Sequence, residues 1–130
     1  MSRGVRRLAG GGAFEDIAGY CRAVRAGSLI LVSGTISPDS SLSESDTFTQ
    51  TTRAFEAALE AAATLGGTRD DVLRTRILLA PAASWQEASR AHSLLFTHAR
   101  PANTTYYVGR LIPDGALVEV ELDADGRGAE

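Results

Sequence analysis

The stretch RPANTTYYVGRLIPDGALVEVELD, residues 100–123, predicts two strands joined by a loop. In its second half, Leu117, Glu119 and Glu121 alternate with three apolar residues, which are Val118, Val120 and Leu122. Because successive side chains of a strand point to opposite faces, the apolar trio should face a core and the carboxylates a wetter surface. Whether that surface meets bulk water, a second subunit or a ligand decides what the protein does.

Two further strand patterns lie upstream of this stretch. Residues 20–33, YCRAVRAGSLILVS, predict a hairpin that begins with alternating residues and continues into the apolar run 29–32, which should be buried on both faces. Residues 72–79, VLRTRILL, predict a strand with Arg74 and Arg76 on one face. Charged and apolar side chains thus tend to point to opposite faces of this strand, as they do in the last one.

Two helices are predicted between the strands. Ser43, Ser45 or Asp46 can cap the first helix, Gly66 ends it, and a capping box at residues 84–87 begins the second. Their apolar stripes are Phe48, Thr52, Phe55, Leu59, Ala62 and Leu65 in the first helix and Trp85, Ala88, His92, Leu95, Phe96 and Ala99 in the second. The order of elements predicts an α+β fold, a mixed sheet with two helices on one face.

Length and composition predict one globular domain over residues 1–130. The chain is 44% hydrophobic and 22% charged, which is ordinary for such a domain. Residues 1–14 are basic and rich in glycine without an apolar run, so we expect a flexible arm and no targeting segment. The single cysteine, Cys21, has no disulfide partner and no companion at metal spacing, which favours a small sheet residue and a cytoplasmic location.

Charge and motifs exclude several classes of function. The net charge of -3 is unfavourable for nucleic acid or a membrane as partner. All thirteen basic residues are arginine, so no lysine is present to form a Schiff base or to serve a Walker phosphate loop. The motifs HExxH, GxSxG and GxGxxG do not occur.

The sheet face opposite the predicted helices carries opposite charges within strands. Tyr20 and Arg22 share one parity on the first strand, as do Arg74 and Arg76 on the middle strand and the glutamates of the last. If this face is solvated in a monomer, each ion pair stabilises by only about 0–1 kcal/mol. If several subunits pack these faces together, the ion pairs become buried and clefts form between subunits. The residues alone leave both possibilities open.

The segments GYCRAVRAGSLILVSGTIS, RTRILLAPAASWQEASRAHSLLF and RPANTTYYVGRLIPDGALVEVEL together resemble the Rid family, also called YjgF, of enamine and imine deaminases. The resemblance covers residues 15–123. It implies a chorismate-mutase-like fold and a homotrimer with barrel-like packing of the sheets, with small-molecule sites in clefts between subunits. It also implies hydrolysis of enamines and imines such as 2-aminoacrylate, with no metal or organic cofactor.

The resemblance assigns catalytic positions to Tyr20, Ser33 and Glu119. A carboxylate at Glu119 can orient water toward the carbon of a protonated imine. The hydroxyls of Tyr20 and Ser33, with backbone groups, can hold the nitrogen and the developing charge.

The chain departs from the family pattern where the substrate should be bound. Asn103 stands in place of an arginine that grips the substrate carboxylate, Thr105 in place of a cysteine, and Ser89 in place of a helix asparagine. An asparagine lacks the planar, charged double donor of an arginine. We therefore expect an imine or enamine other than 2-aminoacrylate, or alternatively a non-catalytic protein that binds or senses a small molecule.

Two arginines are candidates to replace the missing one. Arg76, or with less support Arg22, lies on the predicted cleft face and could take over an anionic group. The alternative is that Arg76 forms an ion pair with Glu119 or Glu121. If a pair between Arg76 and Glu119 filled the cleft, a purely structural role would be favoured.

Aromatic residues add a further expectation. Tyr106 and Tyr107 are neighbours in a strand, so one of them should face the cleft and form an aromatic wall. We expect Tyr107 to contact the substrate. His92 lies on the apolar stripe of the second helix, where a buried, hydrogen-bonded histidine is favoured over a catalytic one.

Overall fold

The structure, a computed structural model, describes residues 4–39 and 42–127. Its strands are β1 (Val5–Leu8), β2 (Ala23–Ala26), β3 (Leu29–Thr35), β4 (Val72–Leu79), β5 (Ala102–Tyr107) and β6 (Val118–Asp125). Its helices are α1 (Ala13–Ala18), α2 (Thr47–Thr64) and α3 (Trp85–Leu95), with short 3-10 turns at Leu42–Glu44 and Arg69–Asp71.

The six strands form one mixed sheet in the order β1-β2-β3-β6-β4-β5. Every neighbouring pair is antiparallel except β4 and β5, which run parallel around the crossover helix α3. Both long helices, α2 and α3, contribute to the core on one face of the sheet. The expected α+β fold is therefore confirmed. We call the side covered by α2 and α3 the helix face and the opposite side the open face.

Strand β6 lies between β3 and β4 and shows the alternation that its sequence predicts. Val118, Val120, Leu122 and Ala124 are each 0% exposed beneath the helices, whereas the acidic residues between them are partly exposed on the open face. In register with β6, β4 places Ile77 and Leu79 in the core and Arg76 and Leu78 on the open face. The parity expected for both strands is confirmed.

Helix α2 packs closely on the sheet because small side chains line its buried face. Ala54, Ala58 and Ala62 are fully buried beside Phe55. Asp46 caps the start of the helix, and its carboxylate accepts a hydrogen bond of 2.8 Å from the amide of Thr49. Within residues 4–39 and 42–127, no helix is long and apolar enough to cross a membrane.

Arg25 joins the end of α2 to two other parts of the chain. Its side chain is buried and donates to the carbonyl oxygens of Leu65 at 2.8 Å, Gly126 at 2.9 Å and Gly27 at 2.9 Å. Leu65 caps α2, so the cation also lies at the negative end of that helix. Arg25 thus ties the β2–β3 turn and the end of β6 to α2.

Gln50 is fully buried in α2 and joins two loops. Its Nε2 donates to the carbonyls of Leu42 at 2.9 Å and Gly115 at 3.1 Å, and its Oε1 accepts from the amide of Leu117 at 2.8 Å. Gly115 has a φ of 93°, a left-handed conformation that favours glycine. Because the bonds reach the residues that lead into β6, Gln50 holds the entrance to the strand that carries Glu119.

The N-terminal expectation is wrong for the described residues. Instead of a flexible arm over residues 1–14, β1 pairs with β2 at the sheet edge and α1 begins at Ala13. Residues 1–3 lie outside the described residues. The backbone of β2 supplies the hydrogen-bond partners that an isolated basic segment lacks, so pairing over a long sequence distance decides its structure.

Three local expectations also need correction. Strand β2 begins at Ala23, so Tyr20 precedes the strand instead of lying in it. Leu29 and Leu31 are 45% and 42% exposed on the open face, so the apolar run is buried on one face only in the single chain. Trp85, expected on the buried stripe, is 52% exposed because α3 starts there with its first turn outside the core.

We predict that Gln50→Leu destabilises the fold strongly. The substitution leaves the buried groups that Gln50 now binds without partners, and each such group costs about 1–3 kcal/mol. We expect the free energy of unfolding to fall by about 3 kcal/mol, measured by urea denaturation. Gln86→Leu on the exposed side of α3 is the control, with a change within about 0.5 kcal/mol. Equal effects of the two substitutions would contradict this role of Gln50.

Candidate functional site

A cleft of about 390 Å³ opens on the sheet beside the carboxylate of Glu119. We call it the Glu119 cleft; its lining residues are Phe14, Tyr20, Leu78, Val108, Arg110, Leu111, Ile112 and Glu119. Leu78 and Glu119 are register partners on β4 and β6, and so lie side by side on the open face. The loop between β5 and β6 forms the opposite wall. The cleft therefore combines one carboxylate, one guanidinium and one phenol with an apolar wall.

Glu119 is half-buried, and its pKa is raised above the ordinary value. Burial that removes water from the carboxylate is the main cause, the negative charge of Glu121 adds to it, and the positive charge of Arg22 opposes it. The carboxyl group packs against the backbone of Gly34, where an added Cβ would lie 3.0 Å from the Glu119 Cδ. A side chain at Gly34 would collide with the carboxylate, so the glycine makes room for it.

Arg22, whose charge acts on this carboxylate, is held by groups of β3. Its Nη2 donates to the carbonyls of Ser33 at 2.8 Å and Gly34 at 2.6 Å, and to the hydroxyl of Thr35 at 3.0 Å. These residues lie where the β3–β6 register shifts, so Arg22 binds carbonyls of an irregular stretch of β3. Its Nε is buried and has no hydrogen-bond partner among the described residues. The side chain is thus anchored by its Nη2 and is not placed to bind a ligand carboxylate in the cleft.

Ser33 and Tyr20 lie on a neighbouring groove that shares Tyr20 with the Glu119 cleft. The Ser33 hydroxyl donates to the carbonyl of Cys21 at 2.7 Å, which leaves its oxygen lone pairs as acceptors. Tyr20 is 47% exposed between the two depressions. Of the three expected catalytic residues, Tyr20 and Glu119 line the Glu119 cleft, whereas Ser33 lines only the neighbouring groove.

Asn103 and Thr105 lie on the other side of the sheet from Glu119. They are register partners of Thr75 and Ile77, whose side chains belong to the helix face. Asn103 Nδ2 donates to the Thr75 hydroxyl at 3.0 Å, and Asn103 Oδ1 accepts from the Thr105 hydroxyl at 3.0 Å. The amide is therefore engaged within the chain. A single chain does not bring Asn103 and Thr105 into the Glu119 cleft.

His92 ends this chain of hydrogen bonds. Its Nε2 lies 2.8 Å from the Thr75 hydroxyl, and its ring contacts Phe55 and Phe96. The Thr75 hydroxyl accepts from Asn103 and keeps its own hydrogen and a second lone pair, so its contact with Nε2 fits either neutral tautomer of His92. Burial lowers the pKa of His92, in agreement with a neutral ring. This geometry fits the expectation that His92 is a buried, hydrogen-bonded residue and not a catalytic one.

Tyr107 and Ser89 are also remote from the Glu119 cleft. Tyr107 is the register partner of Leu79 on the helix face, and its hydroxyl donates to the carbonyl of Ala83 at 2.8 Å. Tyr106 is the tyrosine of this pair that shares the open face with Leu78. Ser89 is exposed on α3. In one chain, neither Tyr107 nor Ser89 contributes to the cleft.

Arg76 forms ion pairs instead of entering the cleft. Its Nη1 lies 3.4 Å from the Glu121 carboxylate and 4.0 Å from that of Asp123. The alternative of an ion pair with Glu121 thus describes this structure, and Arg76 is not paired with Glu119. With both side chains more than a third exposed, such a pair contributes about 0–1 kcal/mol.

Arg110 is a cleft residue that the sequence did not single out. It lies in the loop between β5 and β6, outside the strands whose parity guided the selection of candidate arginines. The sequence indication available was its position seven residues after Asn103, in the loop that follows β5. Among residues 4–39 and 42–127, no group of three or more His, Cys, Asp or Glu residues could hold a metal ion.

Comparisons with known proteins agree on a family. A sequence model of the family described as Endoribonuclease L-PSP matches residues 11–125. The uncharacterized protein SCO2049 of Streptomyces coelicolor is 38% identical over 125 residues, which cover 95% of this chain and 93% of that protein. The match therefore extends over nearly the whole of both chains.

Solved structures support the same fold. Rv2704 from Mycobacterium tuberculosis, a member of the YjgF/YER057c/UK114 family, is 35% identical and has a TM-score of 0.85, with 94% of this chain and 99% of that chain covered. NMB1025 from Neisseria meningitidis, a YjgF protein family member, is 21% identical with a TM-score of 0.79, covering 96% and 97% of the two chains. At the lower identity the likeness shows the fold alone.

We predict that Glu119→Gln stabilises the protein at neutral pH. Because the pKa of Glu119 is raised by folding, the native state retains this proton at pH values where the unfolded chain has released it. The free energy of unfolding therefore falls as pH rises through the interval between the two pKa values. The glutamine variant lacks this loss, so we expect a higher Tm than wild type at pH 7 and no difference below the ordinary glutamate pKa.

Differential scanning calorimetry across this pH range measures the effect. Glu60→Gln, an exposed carboxylate on α2, should show no comparable pH dependence. A lower Tm for Glu119→Gln at pH 7 would contradict the prediction, since it would mean that the fold stabilises the ionised carboxylate.

Proposed function

Because the chain belongs to the Endoribonuclease L-PSP family, also called YjgF, we propose that it hydrolyses an imine or enamine in the Glu119 cleft. The observation that carries the proposal is a half-buried carboxylate of raised pKa, facing a cleft that it shares with Tyr20 and an apolar wall. Removal from water and a raised pKa are properties that suit a carboxylate to accept a proton from water.

The proposed reaction uses one water molecule. Glu119 takes a proton from this water as the oxygen attacks the carbon of the protonated imine, and a carbinolamine forms. The same proton is then transferred to nitrogen, and the C–N bond breaks as the carbonyl group forms. The ammonia that leaves takes the hydroxyl proton, so the products are ammonium and a carbonyl compound. The Tyr20 hydroxyl is placed to bind the nitrogen or the developing charge, and Ser33 offers acceptor lone pairs at the edge of the cleft.

The substrate we propose differs from 2-aminoacrylate. Asn103 carries no charge, and its amide oxygen and one amide hydrogen are used by Thr105 and Thr75. It therefore cannot replace the bidentate grip that the family resemblance assigns to an arginine at this position. The apolar wall of the Glu119 cleft favours a larger, less polar compound.

We further propose that the chain works as a homotrimer. Glu119 and Asn103 lie on opposite faces of one sheet, so a second copy is required if Asn103 is to approach a Glu119 cleft. Leu29, Leu31 and Tyr106 are each more than 40% exposed on the open face, and packing of these faces would remove them from water.

RNA cleavage, which the family description names, has less support from this chain. The open face presents the carboxylates of Glu121, Asp123 and Asp125, and the net charge is -3. A phosphate backbone is attracted by clustered cations and repelled by such a surface. The second candidate function is non-catalytic binding of a small molecule in the same cleft, which the internally bonded Ser33 and Asn103 favour.

We predict that the protein accelerates the release of ammonia from imines generated in situ by an amino-acid oxidase. Glu119→Gln should lower kcat/KM about 100-fold or more, because positioned proton transfer contributes about 10²–10⁴-fold. Glu60→Gln is the control and should retain the wild-type rate. For the wild type, kcat/KM should fall as pH decreases through the raised pKa of Glu119.

The two candidate functions give different results in this assay. Release of ammonia above the buffer rate, lost in Glu119→Gln, supports hydrolysis. A wild-type rate equal to buffer across aliphatic and aromatic imines would exclude it and leave the binding function.

We predict a mass of about three chains by light scattering at micromolar concentration. Leu31→Arg should shift the mass toward one chain, because it places a charge among the apolar side chains of the open face. Leu94→Arg is the matched control, since Leu94 is 64% exposed on α3, away from that face. A wild-type monomer would contradict the proposed assembly.

A further inference from the structure

The Glu119 cleft contains a second charged group whose partner is weak. Arg110 lines the cleft, and its Nη2 lies 3.5 Å from the carboxylate of Asp114. The two side chains are 78% and 87% exposed, and no other carboxylate of the described residues lies within ion-pair distance of Arg110. Such an exposed pair is easily replaced by a better one.

Other arginines near the open face are less suited to bind a ligand anion. Arg22 is committed to three acceptors on β3, and Arg76 to the carboxylates of Glu121 and Asp123. Arg110 remains, and it lines the same cleft as Glu119. Its planar double donor is the geometry that a carboxylate accepts in two parallel hydrogen bonds.

The rest of the lining is apolar. Leu111 in this lining is buried, whereas Phe14 and Ile112 are 60% and 68% exposed. Large apolar side chains with this much exposure gather around one cleft in which only Tyr20, Arg110 and Glu119 are polar. A ligand that fits this set has one anionic group, one reactive polar centre and a bulky hydrocarbon part.

On the basis of the proposed function, we propose that Arg110 binds the carboxylate of a 2-imino acid whose bulky apolar side chain lies against the wall of the Glu119 cleft. Arg110 then takes the role that Asn103 cannot fill. The carboxylate displaces Asp114, and the imine carbon next to it is presented to the water that Glu119 orients. Hydrolysis adds water to the C=N bond and yields a 2-keto acid and ammonium.

The test compares imines with and without a carboxylate. An amino-acid oxidase supplies the imines of phenylalanine, leucine and alanine, and an amine oxidase supplies the imine of benzylamine, which has no carboxylate. We expect the phenylalanine and leucine imines to be hydrolysed with a higher kcat/KM than the alanine imine. Arg110→Gln should lower kcat/KM for these two imines about tenfold or more, because it removes a charge-assisted double hydrogen bond, and should leave the benzylamine imine unchanged.

Matched variants separate the binding of the carboxylate by Arg110 from general effects of charge. Arg69→Gln removes an exposed arginine remote from the cleft and should leave all rates unchanged. Arg110→Lys should restore only part of the loss, because an ammonium group lacks the planar fork. Asp114→Asn should raise the apparent affinity for carboxylate-bearing imines, since it removes the competing carboxylate.

Failure of this inference is distinguishable from failure of the proposed function. If the wild type hydrolyses imines but Arg110→Gln affects the phenylalanine and benzylamine imines equally, or the alanine imine is the best substrate, the role of Arg110 is overturned and the hydrolase proposal stands. If no imine is hydrolysed, calorimetric titration with phenylpyruvate directly tests whether Arg110 binds a ligand carboxylate. Binding that weakens about tenfold in Arg110→Gln supports it, and binding equal to wild type, or none, overturns it.

Discussion

The structure depends on the alternation of side chains along β6. This strand lies in the middle of the sheet, and its four apolar residues are completely buried on the face that α2 covers. Their burial fixes the register, because a shift by one residue would place Glu119 and its acidic neighbours in the core and the valines in water. The position of Glu119 on the open face is therefore a consequence of the hydrophobic effect on the other side of the same strand.

Buried polar groups complete what the apolar core begins. Gln50 fixes the loop before β6, Arg25 fixes the end of β6, and Arg22 holds the irregular part of β3 next to Glu119. All three side chains bind backbone atoms of loops or irregular strands, where regular ladders leave groups unpaired. The carboxylate consequently rests on a rigid support, although the cleft beside it is formed by a loop.

The sequence was sufficient to predict the features that depend on residues close together in the chain. The bounds of β4, the cap at Asp46 and the faces of β6 follow from alternation and capping chemistry, which act within a few residues. The pairing of β1 did not follow, because it depends on β2, which lies beyond α1 in the chain. The face of Asn103 did not follow either, since it is set by the parallel register with β4, which the sequence of β5 alone does not specify.

The location of Asn103 and Arg110 on different parts of the chain has an evolutionary consequence. β5 is an edge strand with a single neighbour, and Arg110 lies in the loop that follows it, so substitutions in both are poorly transmitted to the core. Glu119, by contrast, is tied to the most buried strand. Ligand preference can thus diverge among related proteins through changes at the periphery, while the group that handles water stays where the fold requires it.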